Sequence, residues 1–487
     1  MKRKSLGVNA VLNGFRSAIN LIFPLITFPY VSRILLVEGI GIYNFSNTYV
    51  GYFSLLAGLG IVTYAVREGA KYRNSPPKIA LFSSQVFTIN MISTVVAYLL
   101  LVLSLVVFRN LHNYVSCILV FSLEILFTTL GTEWIYTIYE DYTYITIRSI
   151  IFKILSVILL FVLVRNAKDY LWYAGVTVFA NVGSNILNYI HAKSLVQIKL
   201  VKNTNWQKHL KPILIIFASS LAMTLYISSD TTILGLIKNE YAVGIYSIAV
   251  KVYGIINGLI NGLLVVTIPR FALLFGQNKY SEYKKVFSKV VNATVLLVFP
   301  VMIGLVMLSK EIVLIIAGKK YINSILSLQI IAIAIIFANF ALIFNECVLI
   351  PAKREKYTLR NTIITGVVNL VLNLIIIPFW SYNGAALTTV IAEGMMMSLS
   401  AWSSRDIIKN AINDKNLIQN VLSTILGCIG IIVICLICEI FCKSLILKVT
   451  SSVIFSVLIY GIILILCKNK IALEALKYIS FKYKRNR

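Results

Sequence analysis

The chain is long, strongly apolar and basic, and these properties together limit its class. It has 487 residues, of which 59% are hydrophobic and 13% charged, and its formal net charge at pH 7 is +27. Soluble domains carry about twice that charged fraction, so the composition excludes a soluble enzyme or binding module. It predicts an all-α polytopic membrane protein.

Apolar segments long enough to cross a bilayer, at about 20 residues each, recur along the whole chain and predict about 14 spans. The connections between them are short, so the sequence leaves no room for a separate soluble catalytic domain. The predicted spans are 8–35, 40–66, 79–108, 114–139, 142–165, 169–195, 212–236, 241–269, 286–309, 322–350, 357–379, 383–403, 417–441 and 446–468.

The positive charge is distributed unevenly between the two sides that these spans define. An even number of spans places both termini on one side, and that side holds about 32 Lys and Arg residues against about 10 on the other. This bias predicts that both termini are cytoplasmic, and it explains the net charge without nucleic acid as a partner. The basic start of the chain lacks a small-residue cleavage site after its apolar run, so we interpret the first span as uncleaved.

The first predicted span carries a polar stripe. Its polar residues recur at steps of three and four, which places them on one face of an α-helix; they are Asn9, Asn13, Arg16, Asn20, Pro24 and Thr27. An arginine at mid-span costs about 3 kcal/mol or more against lipid, so Arg16 must face water, a partner or an anionic ligand. The alternative is a structural arginine held by neighbouring amides.

An internal repeat divides the chain. The motif Gly41-Ile42-Tyr43 recurs about 200 residues later as Gly244-Ile245-Tyr246, and the same offset aligns Gly51 with Gly254 and Arg67 with Arg270. With a slightly longer offset further on, Glu133 matches Glu346 and Tyr144 matches Tyr357. The repeat predicts two lobes of about six spans each, 1–200 and 201–410, followed by a C-terminal helix pair with a basic tail, 411–487.

The repeat also places an acid opposite the first polar stripe. It aligns Thr27 with Asp230, which ends a second stripe formed by Ser219, Met223, Tyr226 and Asp230. We expect the two stripes to face each other across the interface between the lobes, with Arg16 on one side and Asp230 on the other.

Other charged and amide side chains lie inside spans. Glu124, Glu393, Lys153 and Lys251 lie too deep to reach water by extending, so each has a functional role or a structural partner. Asn257 accompanies Lys251 in the eighth span. By contrast, Arg67, Arg148, Arg270 and Arg360 lie near predicted cytoplasmic ends, where long side chains reach the headgroups at little cost.

The sequence predicts no catalytic site, metal site or bound cofactor. The phosphate loop of an ATP motor, G-x-x-x-x-G-K-[ST], does not occur. The cysteine group Cys435, Cys438 and Cys442 has no histidine nearby, and the three histidines lie far apart along the sequence. The cysteines therefore fit small apolar residues.

Residues 23–71 carry a resemblance to a known family. This segment reads FPLITFPYVSRILLVEGIGIYNFSNTYVGYFSLLAGLGIVTYAVREGAK. It resembles the N-terminal signature of the Wzx-type polysaccharide repeat-unit flippases. Their exporter superfamily also contains the MATE-type multidrug antiporters and the lipid II flippases, so the resemblance implies a MATE-like fold.

The resemblance implies a multi-pass flippase of the bacterial cytoplasmic membrane. It would move undecaprenyl-diphosphate-linked oligosaccharide by alternating access driven by an H⁺ or Na⁺ gradient, for capsule or O-antigen-type polysaccharide. Its partners would be membrane lipids and the polymerase and chain-length machinery of the same pathway.

The resemblance also implies roles for individual residues. Related flippases hold the diphosphate with arginines in the first, second and eighth spans, which match Arg16, Arg67 and Arg270, and Lys251 is a further cation. Among the amides, Asn13, Asn20 and Asn257 suit sugar hydroxyls. The candidates for the coupling ion are Asp230, Glu124 and Glu393.

Two other functions remain open. A MATE-type drug antiporter would have the same fold, but a pocket for organic cations should be rich in acids and aromatics, and Arg16 argues against it. A membrane-embedded polymerase or glycosyltransferase of the same pathway would need catalytic residues on an accessible loop. The short outer loops leave little room for them.

Overall fold

The structure is a computed structural model that describes residues 23–24, 26–409 and 415–474. Helices make up nearly all of this part of the chain, and no strand occurs within it. The prediction of an all-α membrane architecture is confirmed. Long apolar segments form helices because a helix satisfies its own backbone hydrogen bonds where no water is available.

The first half of the chain begins, in the described residues, with a helical segment at 26–34. The helices that follow are α1 (Val37–Gly58), α2 (Ile61–Gly69), α3 (Pro76–Val107), α4 (Val115–Gly131), α5 (Glu133–Tyr139), α6 (Tyr142–Leu163), α7 (Tyr170–Val182), α8 (Asn185–Leu195) and α9 (Trp206–Ile237).

The second half continues in the same manner. Its helices are α10 (Glu240–Val265), α11 (Ile268–Gly276), α12 (Tyr280–Met307), α13 (Ser309–Ile316), α14 (Ser324–Leu342), α15 (Glu355–Ile408), α16 (Lys415–Phe441) and α17 (Leu445–Leu466). A π-helical segment, Ile343–Leu349, extends α14.

Eleven helical stretches of the described chain are long and apolar enough to cross a membrane, so the predicted count of about 14 is not reached. Three departures from the predicted spans account for the difference. The span 8–35 lies mostly outside the described residues, and the span 169–195 is two shorter helices, α7 and α8. The spans 357–379 and 383–403 both lie in α15, which consists of two helices joined at Ser381 (φ 50°).

The chain divides into two compact units, which meet between Ser247 and Ile248 inside α10. In the first unit, buried aromatic and aliphatic side chains of α2, α3 and α5 form a core that includes Tyr64, Phe82 and Trp134. In the second unit, α12 packs against α16, and α16 against α17. The lobe bounds 1–200, 201–410 and 411–487 stay a prediction.

Two glycines of the first unit let α1 and the start of α10 touch through their backbones. A Cβ on Gly41 would overlap the carbonyl oxygen of Glu240, and a Cβ on Gly244 would overlap the carbonyl oxygen of Val37. The offset that aligns Gly41 with Gly244 also aligns Val37 with Glu240, so the contact is reciprocal. We call it the glycine contact.

Candidate transport site

Three residues of the predicted site, Asn13, Arg16 and Asn20, lie outside the described residues. Their roles, and the predicted pairing of Arg16 with Asp230 across the lobes, therefore stay predictions. The other predicted residues lie on described helices of the two units.

In the first unit, Glu124 is held by an amide. Asn181 on α7 donates a hydrogen bond to Glu124 Oε1 on α4 at 2.9 Å. One turn from Asn181, Thr177 Oγ1 lies 3.0 Å from the hydroxyl of Tyr43 on α1, and the Tyr43 ring stacks on Tyr173 with the centroids 4.1 Å apart. These five residues form the Glu124 cluster. No cation pairs with Glu124 within the described structure, so its charge is balanced only by neutral donors.

Asp230 on α9 is a second acid of the first unit, and it accepts hydrogen bonds from hydroxyl groups. Its side chain is 5% exposed, Tyr246 on α10 donates a hydrogen bond to its Oδ2 at 2.8 Å, and Ser229 donates to its Oδ1 at 3.3 Å. Tyr246 belongs to the repeated Gly-Ile-Tyr motif, as Tyr43 does. Each copy of the motif therefore places a tyrosine hydroxyl beside polar side chains of the first unit: Tyr43 lies beside Thr177 and Tyr246 beside Asp230.

In the second unit, hydrogen bonds join Glu393 to two asparagines. Tyr253 on α10 donates to Glu393 Oε1 on α15 at 3.3 Å, and Asn257 donates to the Tyr253 hydroxyl at 3.5 Å. Asn339 on α14 donates to Asn257 Oδ1 at 2.9 Å and is fully buried. We call these four residues the Glu393 chain. It brings together Asn257 and Glu393, which the sequence assigned to different roles.

The predicted cations of the described chain differ in their surroundings. Lys251 is half-buried on α10, two residues before Tyr253. Arg67 and Arg270 are more exposed: Arg67 Nε lies 3.4 Å from Glu68 Oε1, and Arg270 Nη2 lies 3.7 Å from Glu282 Oε2. Exposed ion pairs of this length are weak, so both guanidiniums can exchange these carboxylates for another anion.

An apolar cavity of about 410 Å³ lies in the second unit. It is bounded by α12, α13, α16 and α17 and by Ile256 of α10, and Pro300, Gly304 and Tyr460 are among its lining residues. Its surface is almost entirely hydrocarbon, which suits an apolar chain.

Sequence reasoning missed several residues of these groups. Asn181 and Asn339 had a usable signal, because each is an amide inside an apolar run, where it needs a hydrogen-bond partner. The tyrosines had only their place in the repeated motif. No group of three His, Cys, Asp or Glu residues in the described ranges could hold a metal ion.

Comparison with known proteins identifies the family. A family model described as "Polysaccharide biosynthesis protein" matches residues 8–275, more than half of the chain. Over 401 residues the chain is 22% identical to a protein of Escherichia coli K12 described as "Putative O-antigen transporter", covering 81% of this chain and 95% of the relative.

Two solved structures have the same fold. One is the inward closed conformation of the lipid II flippase MurJ, with a TM-score of 0.76 and 14% identity over 95% of this chain and 99% of the other. The second is an inward-facing MATE family multidrug transporter of the MOP superfamily, with a TM-score of 0.64 and 13% identity over 81% of this chain and 95% of the other. The predicted MATE-like fold is confirmed, and the chain belongs to the polysaccharide biosynthesis protein family.

Proposed function

We propose that the protein is a flippase that moves oligosaccharide repeat units, linked to undecaprenyl diphosphate, across the bacterial cytoplasmic membrane. The observation that carries this proposal is the relationship to an O-antigen transporter along most of both chains. The family match to polysaccharide biosynthesis and the fold shared with a lipid II flippase support it independently.

The polar, charged and apolar residues singled out above suit each part of such a cargo. The amides and hydroxyls of the Glu124 cluster and the Glu393 chain can hydrogen-bond sugar hydroxyls. The diphosphate suits the cations Arg16, Arg67, Lys251 and Arg270. One guanidinium group can bind two phosphate oxygens at once, and the lysine adds a further positive charge. The apolar cavity of the second unit suits the prenyl chain.

We assign ion coupling to the acids Glu124, Asp230 and Glu393. Each accepts hydrogen bonds from amides or hydroxyls, so gaining a proton or sodium ion changes its charge without removing its neighbours. An ion that binds one conformation more tightly than the other shifts the equilibrium between inward- and outward-open states. The gradient of that ion then drives transport.

The orientation of the protein in the membrane and its pathway partners are part of the same proposed function. Its charge bias favours a cytoplasmic location for both termini, and its cargo would pass to the polymerase and chain-length machinery on the far side. The relatives with this fold are transporters, which favours a non-enzymatic role. The MATE-type antiporter function has less support, because the sequence relatives belong to polysaccharide transport.

The first test is transport in proteoliposomes that contain the wild type or Arg16→Ala at matched protein content. The cargo is a fluorescent oligosaccharide linked to undecaprenyl diphosphate, and an organic-cation dye is the control cargo. We expect wild type to move the glycolipid and Arg16→Ala to lose at least about tenfold in rate, because a charge-assisted hydrogen bond contributes about 1.5–3 kcal/mol. Movement of the dye without the glycolipid would establish the antiporter instead.

The coupling role of Glu393 is tested in the same vesicles with Glu393→Gln. The amide still accepts the hydrogen bond from Tyr253, so the fold is kept while the titratable group is lost. We expect the transport rate of this variant to become insensitive to an imposed H⁺ or Na⁺ gradient. Glu355→Gln, which removes an exposed carboxylate at the start of the same helix, is the matched control and should keep the response to the gradient.

A further inference from the structure

A polar pocket lies where the two ends of α15 meet, away from the Glu393 chain. Its volume is about 350 Å³, and three of its lining residues are arginines, Arg354, Arg360 and Arg405. Because α15 is two helices joined at Ser381, its first turns and its last turns lie side by side. The Arg360 guanidinium bridges them with a hydrogen bond of 3.1 Å to Ser403 Oγ. We call this feature the arginine pocket.

The charges of the arginine pocket are not balanced. Arg354 forms a bidentate pair with Asp406, with N–O distances of 2.8 and 2.6 Å, and these hydrogen bonds raise the pKa of Arg354. Arg360 donates only to neutral oxygens, those of Asn361 and Ser403. Arg405 stacks on Trp402 at 4.0 Å. Within the described residues no carboxylate pairs with Arg360 or Arg405, so two guanidinium charges converge without a counter-ion.

The walls of the pocket place it at the level of the membrane surface. Trp402 is 65% exposed and Tyr357 is 42% exposed, and such amphipathic rings favour the interface between hydrocarbon and water. One turn deeper along α15, Ile363 and Ile364 are also exposed, as residues that face lipid chains are. Basic pockets of this kind between membrane helices bind lipid headgroups.

We propose that the arginine pocket binds a phosphate group, and that the phosphate belongs to an anionic phospholipid of the leaflet it faces. Arg360 and Arg405 supply the two charges, and each planar guanidinium can hold two phosphate oxygens. Trp402 and Tyr357 flank the glycerol region, and the exposed isoleucines meet the acyl chains. This lipid site is separate from the transport groups, and the proposal does not depend on the identity of the cargo.

The test measures lipid binding to the full-length protein, released from detergent, by native mass spectrometry. Phosphatidylglycerol is titrated onto wild type and onto Arg360→Gln/Arg405→Gln. We expect the apparent affinity of the tightest phosphatidylglycerol to fall at least about tenfold in the double variant, since hydrogen bonds to charged groups are lost. The matched control Lys279→Gln/Lys285→Gln removes the same charge from two exposed lysines of the second unit and should bind as wild type does.

Two further binding measurements distinguish a phospholipid headgroup from free phosphate as the ligand. Phosphatidylcholine should bind wild type more weakly than phosphatidylglycerol, and inorganic phosphate should compete only at far higher concentration. Inorganic phosphate that binds as tightly as the lipid would overturn the lipid assignment. An unchanged affinity in the double variant, or an equal loss in the lysine control, would overturn the site itself. Should the glutamine variant fail to fold, Arg360→Lys/Arg405→Lys keeps the charges and should recover only part of the affinity.

Discussion

Arg148 is a buried cation whose guanidinium group makes no hydrogen bond within the described residues. It is 7% exposed, and in the described structure none of its three guanidinium nitrogens has a hydrogen-bond partner. Its Cζ lies 5.3 Å from the centre of the Tyr144 ring. The carboxylate of Glu133 and the hydroxyl of Tyr144 favour the charged guanidinium, but the hydration that Arg148 loses on burial outweighs them.

We therefore expect Arg148→Met to raise the free energy of unfolding by about 1–2 kcal/mol, since replacing buried charges by apolar groups of similar volume is often stabilising. Methionine keeps the apolar stem and removes the charge. The measurement is thermal unfolding of the purified protein in detergent. Arg67→Met, at an exposed arginine, is the control and should change little. A loss of several degrees in Tm for Arg148→Met would show that the guanidinium contributes to stability after all.

From the sequence, we predicted the same behaviour for four arginines near predicted span ends, namely that their side chains extend to the lipid headgroups. These are Arg67, Arg148, Arg270 and Arg360. Snorkelling fits the exposed ones, but for Arg148 the prediction is wrong. Helical periodicity shows which residues share a face, but not which neighbouring helix covers that face. The burial of a single arginine therefore could not be predicted.

At the glycine contact, α1 and α10 approach each other so closely that a Cβ on either glycine would overlap a backbone carbonyl of the other helix. Overpacking a tight contact costs about 1–3 kcal/mol, so we expect Gly41→Ala to lower the free energy of unfolding by that amount. Gly51 on the same helix has no described atom within 4 Å of a built Cβ. Gly51→Ala is therefore the matched control, and it should stabilise by up to about 1 kcal/mol because alanine favours a helix.

Thermal unfolding of the two variants in detergent measures this difference. Gly244→Ala, at the equivalent position of the repeat, should behave as Gly41→Ala does, and Gly254→Ala as Gly51→Ala does. Equal stabilities for Gly41→Ala and Gly51→Ala would contradict a backbone contact at Gly41.

Helix positions were the most predictable part of the fold, because a span of about 20 apolar residues has few alternatives in a membrane. The breaks within helices were less predictable. The chain between α4 and α5 turns at Thr132, and α15 changes direction at Ser381, both with positive φ. Neither residue type signals such a conformation, so tertiary packing must impose it.

For the whole molecule, the charge bias predicts that both termini lie in the cytoplasm. We expect fusions of a green fluorescent protein at residue 1 and at residue 487 both to be fluorescent, because the fusion partner matures in the cytoplasm and not after export. A fusion of the same partner after Lys238, in a predicted outer loop, is the control and should be dark. A dark fusion at only one terminus would require an odd number of spans.

The candidate site was predictable in kind but not in detail. An acid inside an apolar span can be recognised from sequence alone, and Glu124 and Glu393 were found this way, while the internal repeat pointed to Asp230. The pairing of these acids with Asn181 and Tyr246 could not be predicted, because the partners lie on other helices. Only the fold brings Asn257 within reach of Glu393 through Tyr253.

The glycine contact also restricts how this chain can change over evolutionary time. When two side chains crowd each other, a larger residue on one helix can be compensated by a smaller one on the other. Here the group facing each glycine is a peptide carbonyl, which every amino acid carries. No single substitution in the facing helix can make room for a side chain at position 41 or 244, so suppressor mutations must act by moving a whole helix.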